Sequence, residues 1–339
     1  MRVGFNPHKD KVQEASDYWH QVIIPVYIPN QEAYFKDSFA ILKLCLESLF
    51  KTIHEKTFVT IVNNGSDISV ANYLDLLLKE NKIQELIHTE NIGKLNAILK
   101  GFAGHNIELV TISDADVLFL ANWQRETYQV FESFPKAGSV SPCPNSRLLK
   151  YYTANILFDK LFSKSLYFKN VKNPKALKYF AKSIGNSSLF NSWNLSKYLT
   201  VKHKGVLAVV GGGHFVSTYK SSILKKQNYS FSPFKLGGES ESEILDLPVA
   251  FNGYWRLSTA DNYAFHMGNT LEEWMLTTVE DLKENNLTCD IVPLLTKMES
   301  NAFMNWFKIK VFSRLLFKKS IWRLFLRYKG LTKEEASFY

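Results

Sequence analysis

ELVTISDADVLFL, residues 108–120, decides how the chain is read. Leu109 to Ile112 are an apolar run of the kind that makes a buried strand. The run ends in Ser113, Asp114, Ala115 and Asp116, and apolar residues resume from Val117 to Leu120. Two carboxylates at such an exit have two readings. They can sit in a solvated turn, where Asp is common. Alternatively they can face one hard cation, which takes oxygen ligands and keeps positions open for phosphate oxygens. The second reading needs a sheet whose strand exits line a crevice.

The preceding sequence supplies such a sheet. HQVIIPVYIP (20–29) is apolar, β-branched and closed by proline. Phe39, Leu42, Leu46, Leu49 and Ile53 follow at helical spacing. TFVTIVNNGSD (57–67) is a second strand ending in a turn. A helix is expected over 69–82, a short strand at ELIHTEN, and a helix over GKLNAILKGFAG (93–104). Alternating strands and helices imply an α/β fold with a mostly parallel sheet flanked by helices, and ligands bind at the carboxyl ends of its strands. Asn63-Asn64 and Asp114/Asp116 both lie at such ends. Residues 150–204 read as helices and loops, VLAVVGGGHFVS (206–217) as a returning strand, and the chain beyond about residue 276 as helical and basic.

Composition sets the outer limits. The 339 residues, 46% hydrophobic, suffice for one large core or a catalytic domain with an appendage. No stretch of the length needed to span a bilayer is free of charge, and the start has no apolar segment of the secretory kind. Cys45, Cys143 and Cys289 are too scattered for a metal site or disulfide framework, so a reducing cytoplasm is expected. The net charge of +9 is concentrated. Residues 150–204 carry eleven lysines and one acid, Asp159; residues 303–329 carry eight Lys/Arg and no acid. The remainder is acidic on balance.

Several short motifs, in order, resemble those of family 2 glycosyltransferases of the GT-A (Rossmann-like) fold: VIIPVYIP, IVNNGSD, NIGKLNAILKG, SDAD, VVGGGHF, LGGESESEILDL with NGY, and FHMGN, spanning about residues 20–270. The resemblance implies an enzyme of the hexosyltransferase type that moves a sugar, with inversion, from a nucleotide diphosphate sugar to a glycan acceptor. The GT-A catalytic domain would occupy 1–275, with a donor half at about 20–145 and an acceptor half at about 146–275. Pro25, Val26 and Tyr27 would border the nucleoside. Asn63 or Asn64, where the family usually has Asp, would meet the base, with uracil the expectation, or would simply form a turn. Asp114 and Asp116 would hold Mn2+ or Mg2+, with Asp114 also touching the donor. His266 would complete the metal site or be a packed residue. Lys94 would pair with diphosphate near a helix start, or be a solvated helical lysine. Gly212, Gly213 and His214 would line the acceptor side. For the catalytic base the glycines favour Glu239, whereas counting back from Gly253-Tyr254 favours Glu241. The family's Glu-Asp pair is absent, and Glu243 and Asp246 stand behind these two.

The region 276–339 is expected to be a helical basic tail. Within it, 303–329 mixes Trp306, Phe307, Phe312, Leu315, Leu316, Ile321, Trp322 and Phe325 with Lys308, Lys310, Arg314, Lys318, Lys319, Arg323 and Arg327. Such a segment can lie in an anionic membrane interface, or pack on the domain with its basic side in water. The expected place is therefore the cytoplasmic face of a cell membrane. By analogy the acceptor is lipid-linked and the process is bacterial surface-polysaccharide assembly. A nucleotidyltransferase would need a glycine-rich basic loop after the first strand, which PVYIPNQEAYF lacks. A nucleic-acid-binding protein could use the basic segments, but acidic clusters in the crevice fit it poorly, so no nucleic-acid partner is expected.

Overall fold

His20–Val26 (β1) is buried at every position, as a strand must be when both sheet faces are covered. Its side chains divide by parity. Val22, Ile24 and Val26 pack with Leu42, Leu46 and Leu49 of helix α1 (Ser38–Thr52), whereas Ile23 faces Leu95 and Ile98 of helix α3 (Lys94–Phe102). β1 pairs in parallel with β2 (Thr57–Asn64) on one side and β4 (Leu109–Ser113) on the other. β2 continues in parallel to β3 (Glu85–Thr89), with helix α2 (Ile68–Lys79) between them in the chain. These elements of a computed structural model follow the sequence expectation closely. The structure describes residues 4–6, 8–12, 16–226, 231–283, 293, 295–296 and 298–339; Cys289 lies outside them, and Cys45 and Cys143 are buried free thiols.

The remaining strands are β5 (Val117–Phe119), β6 (Ala137–Ser141), β7 (Leu166–Asn170), β8 (Lys197–His203), β9 (Val206–Val210), β10 (Val216–Lys220), β11 (Trp255–Thr259) and β12 (Ala264–His266). One sheet runs β3-β2-β1-β4-β10-β6-β11-β9-β8-β7, so it is continuous across both halves of the chain; β12 and β5 pair separately. β10 is antiparallel to β4 and β6, and β6 and β11 are parallel. β9, β8 and β7 then alternate in direction out to the edge. Two sequence expectations change. The lysine-rich stretch 150–204 contains β7 and β8 besides its helices, because Leu166, Tyr198, Leu199 and Val201 turn inward and leave the lysines on the solvent side. The stretch 206–217 is two strands, not one: Gly211 to Gly213 carry the chain from β9 across to β10, with β11 and β6 between them.

The basic tail packs on the domain. Helix Glu273–Asp281 crosses the boundary expected at residue 275 and buries Met275 and Val279 in the cluster containing α1. Leu316, Trp322, Phe325 and Leu326 are buried with Ile156, Leu157, Val201 and Leu257. Buried Lys308 reaches Asp159 Oδ1 at 2.6 Å, and Lys329 donates to the carbonyls of Lys160 and Ser163. Leu316, Trp322 and Phe325 are therefore core residues and cannot insert into a membrane. Their burial also makes the tail part of the fold.

At the amino end of the central strands lies a buried polar cluster. His20 Nε2 is 2.7 Å from Thr111 Oγ1, its Nδ1 meets the Tyr128 hydroxyl, and His54 Nε2 is 2.9 Å from the same hydroxyl. Gln124 donates to His20 Nδ1 and to Thr57. Burial holds His20 well below the ordinary imidazole value, with the nearby His54 adding, and burial pushes His54 down to about 4. In the unfolded chain both titrate near 6.5, so between about pH 6.5 and 4 the unfolded state binds more protons. Stability should be full above that window and decline as pH falls through it. The urea midpoint should drop from pH 7.5 to pH 5, and less steeply in His54→Gln.

Candidate active site

Asp114 and Asp116 follow β4 directly. The Asp114 amide donates to the Phe215 carbonyl at 2.8 Å, and the Asp116 carbonyl accepts from Met267 N at 2.8 Å. These two backbone bonds draw the Gly212–Phe215 corner and the segment after β12 to the same strand exit. His266 thereby comes within 3.4 Å of Asp116, Nε2 to Oδ2, and one ligand atom each from Asp114, Asp116 and His266 lie within 4.8 Å of one another. The other ring nitrogen, Nδ1, is 2.9 Å from the Ser183 hydroxyl at the end of helix Pro174–Ser183, which fixes the ring and leaves Nε2 toward the carboxylates. Burial pushes the Asp116 carboxyl up to about 6, with the Asp114 charge adding and the His266 charge opposing. Two half-buried carboxylates and an oriented imidazole suit a divalent cation, whose charge would favour both carboxylates in ionised form.

Lys94 opens α3 and is only 20% exposed; its Nζ lies 2.5 Å from both Asp114 Oδ1 and Glu241 Oε1. It is neither a solvated lysine nor free for a diphosphate as it stands. Burial alone would lower its ammonium, but the charges of Asp114 and Glu241 overcome this and hold it above its usual value. Lys94 thus joins the first carboxylate of the Asp-X-Asp to the acidic loop. Of that loop, Glu239 and Glu243 are exposed, and Glu239 has φ +59°.

Two cavities border the cluster. One, of about 370 Å3, is lined by Pro25, Tyr27, Asn64, Asn91, Lys94, Asp114, Asp116 and Lys235 among others. The second, of about 310 Å3, is mainly apolar, walled by Leu148, Leu177, Phe180 and Phe265, with His214 and His266. Pro25, Tyr27, Asn64, Lys94, Asp114 and Asp116 of the expected donor set therefore share one cavity. Val26 is fully buried in β1 and turns to the core. Asn63 is buried as well: its Oδ1 accepts from Ser66 N, and its Nδ2 meets His88, so its side chain closes the turn. Asn64 Oδ1 accepts from Ile92 N.

His214 is held by Asp246, expected only as a fallback base, and by Arg256, which no motif singled out. Its Nδ1 lies 2.8 Å from Asp246 Oδ2, and Arg256 Nη2 is 2.7 Å from Asp246 Oδ1; Asp246 and Arg256 are both buried. Arg256 also donates to the Tyr151 carbonyl at 2.8 Å and the Gly212 carbonyl at 2.6 Å. The sequence carries a signal for this pair. Asp246 stands in the apolar run ILDLPVAF and Arg256 in the core strand WRLST, and a lone charge in each requires a partner. Ser183 carries no comparable signal. Gly211, with φ +94°, makes the corner that presents Gly212, Gly213 and His214, and a Cβ there would lie 2.6 Å from the Leu148 carbonyl.

The profile described as Glycosyl transferase family 2 matches residues 22–186, the stretch carrying β1 to β7, both aspartates and Ser183. The chain is accordingly a glycosyltransferase, and its mixed sheet flanked by helices is consistent with the GT-A fold. No curated protein matches it. Among solved structures, a mannosyltransferase from Pyrobaculum calidifontis, PcManGT, in complex with GDP-Man and Mn2+, is similar at 15% identity and TM-score 0.46, over 95% of this chain and 77% of that one. S. aureus TarS 1-349 is similar at 12% identity and TM-score 0.43, over 92% and 81%. The Gly211 corner yields a direct expectation. Gly211→Ala should lower stability by about 1–3 kcal/mol through its strained backbone and the clash with Leu148, read as a fall in the urea midpoint.

Proposed function

We propose that this glycosyltransferase transfers a sugar, with inversion, from a nucleotide diphosphate sugar to a glycan acceptor, using a divalent metal. The observation that carries this reading is the cluster of Asp114, Asp116 and His266 between two cavities, one whose walls include Lys94, Lys235 and the aspartates and one that is mainly apolar. A nucleotide in the first cavity would lie along Pro25, Tyr27 and Asn64, with Asn91 and Lys235 beside it. We take a UDP-sugar as the donor, since an Asn amide can both accept from and donate to uracil. Mn2+ or Mg2+ held by Asp114, Asp116 and His266 would neutralise charge gathering on the departing diphosphate. Lys94 lies in the same cavity as the aspartates and would meet the diphosphate by exchanging one of its two carboxylate partners for a phosphate oxygen. The acceptor would enter the apolar cavity beside His214 and His266.

We further propose that the acceptor is lipid-linked and that the enzyme works on the inner face of a bacterial membrane, in surface-polysaccharide assembly. No helix among the described residues is long and apolar enough to cross a membrane. What supports an interfacial location is the outer side of the packed tail. Phe303, Trp306, Leu315, Ile321, Leu324 and Tyr328 are exposed there, among exposed Lys310, Arg314, Lys318, Lys319, Arg323 and Arg327. Apolar side chains ringed by cations suit anionic head groups, each cation contributing about 1 kcal/mol near the surface.

A thermal-shift panel of nucleotides and nucleotide sugars, with and without Mn2+, tests the donor reading, because a ligand of the native state raises its melting temperature. UDP with Mn2+ should stabilise the wild type. Asp116→Asn should remove that shift and abolish transfer while circular dichroism stays native. His266→Ala should weaken Mn2+ binding, so that activity partly returns at higher Mn2+. Wild-type metal dependence in both variants would rule out the cluster as the metal site.

The membrane reading has its own test. Replacing Lys310, Arg314, Lys318 and Lys319 with Gln leaves the buried contacts of Lys308 and Lys329 intact. That variant should lose co-sedimentation with phosphatidylserine-containing vesicles, and wild-type binding should weaken as salt rises. By contrast, Trp322→Ala should destabilise the fold by about 3–5 kcal/mol, measured by urea denaturation, because Trp322 is core.

A further inference from the structure

We propose that His214, oriented by the buried Asp246–Arg256 pair, accepts the proton of the acceptor hydroxyl, an assignment that rests on the glycosyl-transfer reading above. His214 lines the apolar cavity into which that reading places the acceptor, as does His266. None of the three glutamates of the acidic loop lines either cavity. Glu239 and Glu243 are exposed, and Glu241 is tied to Lys94 at 2.5 Å. Its Oε1 is therefore occupied by the ammonium rather than turned toward either cavity.

The Asp246 contact fixes what each imidazole nitrogen can do. Asp246 is ion-paired to Arg256 at 2.7 Å, so it is a carboxylate and can only accept. His214 Nδ1 must then carry the hydrogen of the 2.8 Å bond, and Nε2 is left as the acceptor nitrogen. Arg256 holds the arrangement in place through the Tyr151 and Gly212 carbonyls, two residues from His214. The charged and titratable groups that bear on the ring are Asp246 and Glu241 from one segment, Arg256 from β11, Tyr151 with ring centres 6.1 Å away, and Arg147 and His266 around the cavity. Burial alone would lower the imidazole; the hydrogen bond and charge of Asp246, aided by Glu241, outweigh it and the opposing Arg256, and raise it.

The step balances with groups already named. The acceptor oxygen forms its bond to the anomeric carbon as the bond from that carbon to the diphosphate oxygen breaks. The breaking bond's electron pair leaves with the nucleotide diphosphate. The hydroxyl proton passes to His214 Nε2, and the imidazolium so formed is stabilised by the Asp246 carboxylate.

The test follows nucleotide release from the nucleotide sugar that the wild type turns over, with water or added glycan as acceptor. His214→Gln should lower kcat by about 10²–10⁴-fold, with native circular dichroism and an unchanged Kd for UDP with Mn2+. His214→Gly should recover turnover when imidazole is added. Asp246→Asn, which retains the shape of the site, should shift the acid limb of the kcat/KM profile to lower pH because the ring loses the charge that raises it. Wild-type turnover in His214→Gln, with the loss appearing in Glu241→Gln, would overturn the proposal and return the role to Glu241. A wild type that neither binds nor turns over any nucleotide sugar would overturn the donor reading itself, and this assignment with it.

Discussion

Antiparallel β10, wedged between β4 and β6, is the constraint on which the site depends. Parallel strands all leave the sheet along one edge, so a site built only from their exits would hold the residues that follow β1, β2 and β4. An antiparallel strand enters where its neighbours leave. Val216 pairs with Ser113, which puts the residues just before β10 opposite the residues just after β4. Gly212 to Phe215 therefore face Asp114 to Asp116, and the bond from Asp114 N to the Phe215 carbonyl locks the two loops together. One reversed strand thus brings the Asp114 and Asp116 carboxylates and the His214 imidazole to one strand exit from parts of the chain about a hundred residues apart.

Charge then has to be settled in half-buried positions on a cavity wall. Asp114, Asp116, Glu241, Lys94 and His266 meet in half-buried positions, and isolated charges there would be costly. Lys94 answers for two of the acids through one ammonium. Asp116 faces the His266 imidazole, and burial, with the Asp114 charge adding, pushes its carboxyl upward against the opposing charges of His266 and Lys94. Asp246 is treated differently: it is completely buried, and Arg256 matches it one to one while also closing carbonyls on both sides of the corner. The first group can exchange partners, because Lys94 has two and lies on a cavity wall. The second is sealed, which suits a pair whose task is to hold a ring still.

How far the sequence made this visible depended on the range of the interaction. β1, β2, β4 and α1 are written in local periodicity, since burial on both sheet faces demands continuous apolar runs and the helix demands one apolar stripe. The motif resemblance implied that Asp114, Asp116 and His266 would lie together, and the structure brings them together. The bridge from Lys94 to Glu241 was not legible, because nothing local distinguishes a solvated lysine from one whose partner arrives from another loop. Asn63 and Asn64 look equivalent in NNGS, yet strand alternation sends their side chains apart, one to the turn and His88, the other toward Ile92 and the cavity. The split of 206–217 into two strands was signalled by three consecutive glycines, which a single strand has no use for.

The basic tail shows why composition alone could not choose between packing and membrane contact. Both demand aromatics and cations on an amphipathic helix. The helix Lys319–Tyr328 resolves the conflict by dividing its apolar residues. Trp322, Phe325 and Leu326 point inward at spacings of three and four, while Ile321, Leu324 and Tyr328 remain outside with Arg323 and Arg327. The inner stripe accounts for the packing. Ile321, Leu324 and Tyr328 are each partly exposed, Leu324 and Tyr328 for more than half of their surface. The same helix is thus fixed from within by its inner stripe while its outer face carries both apolar and cationic side chains. Under the proposed membrane contact the tail would stay docked while its outer face met the head groups, because the Trp322 contacts that hold it belong to the core.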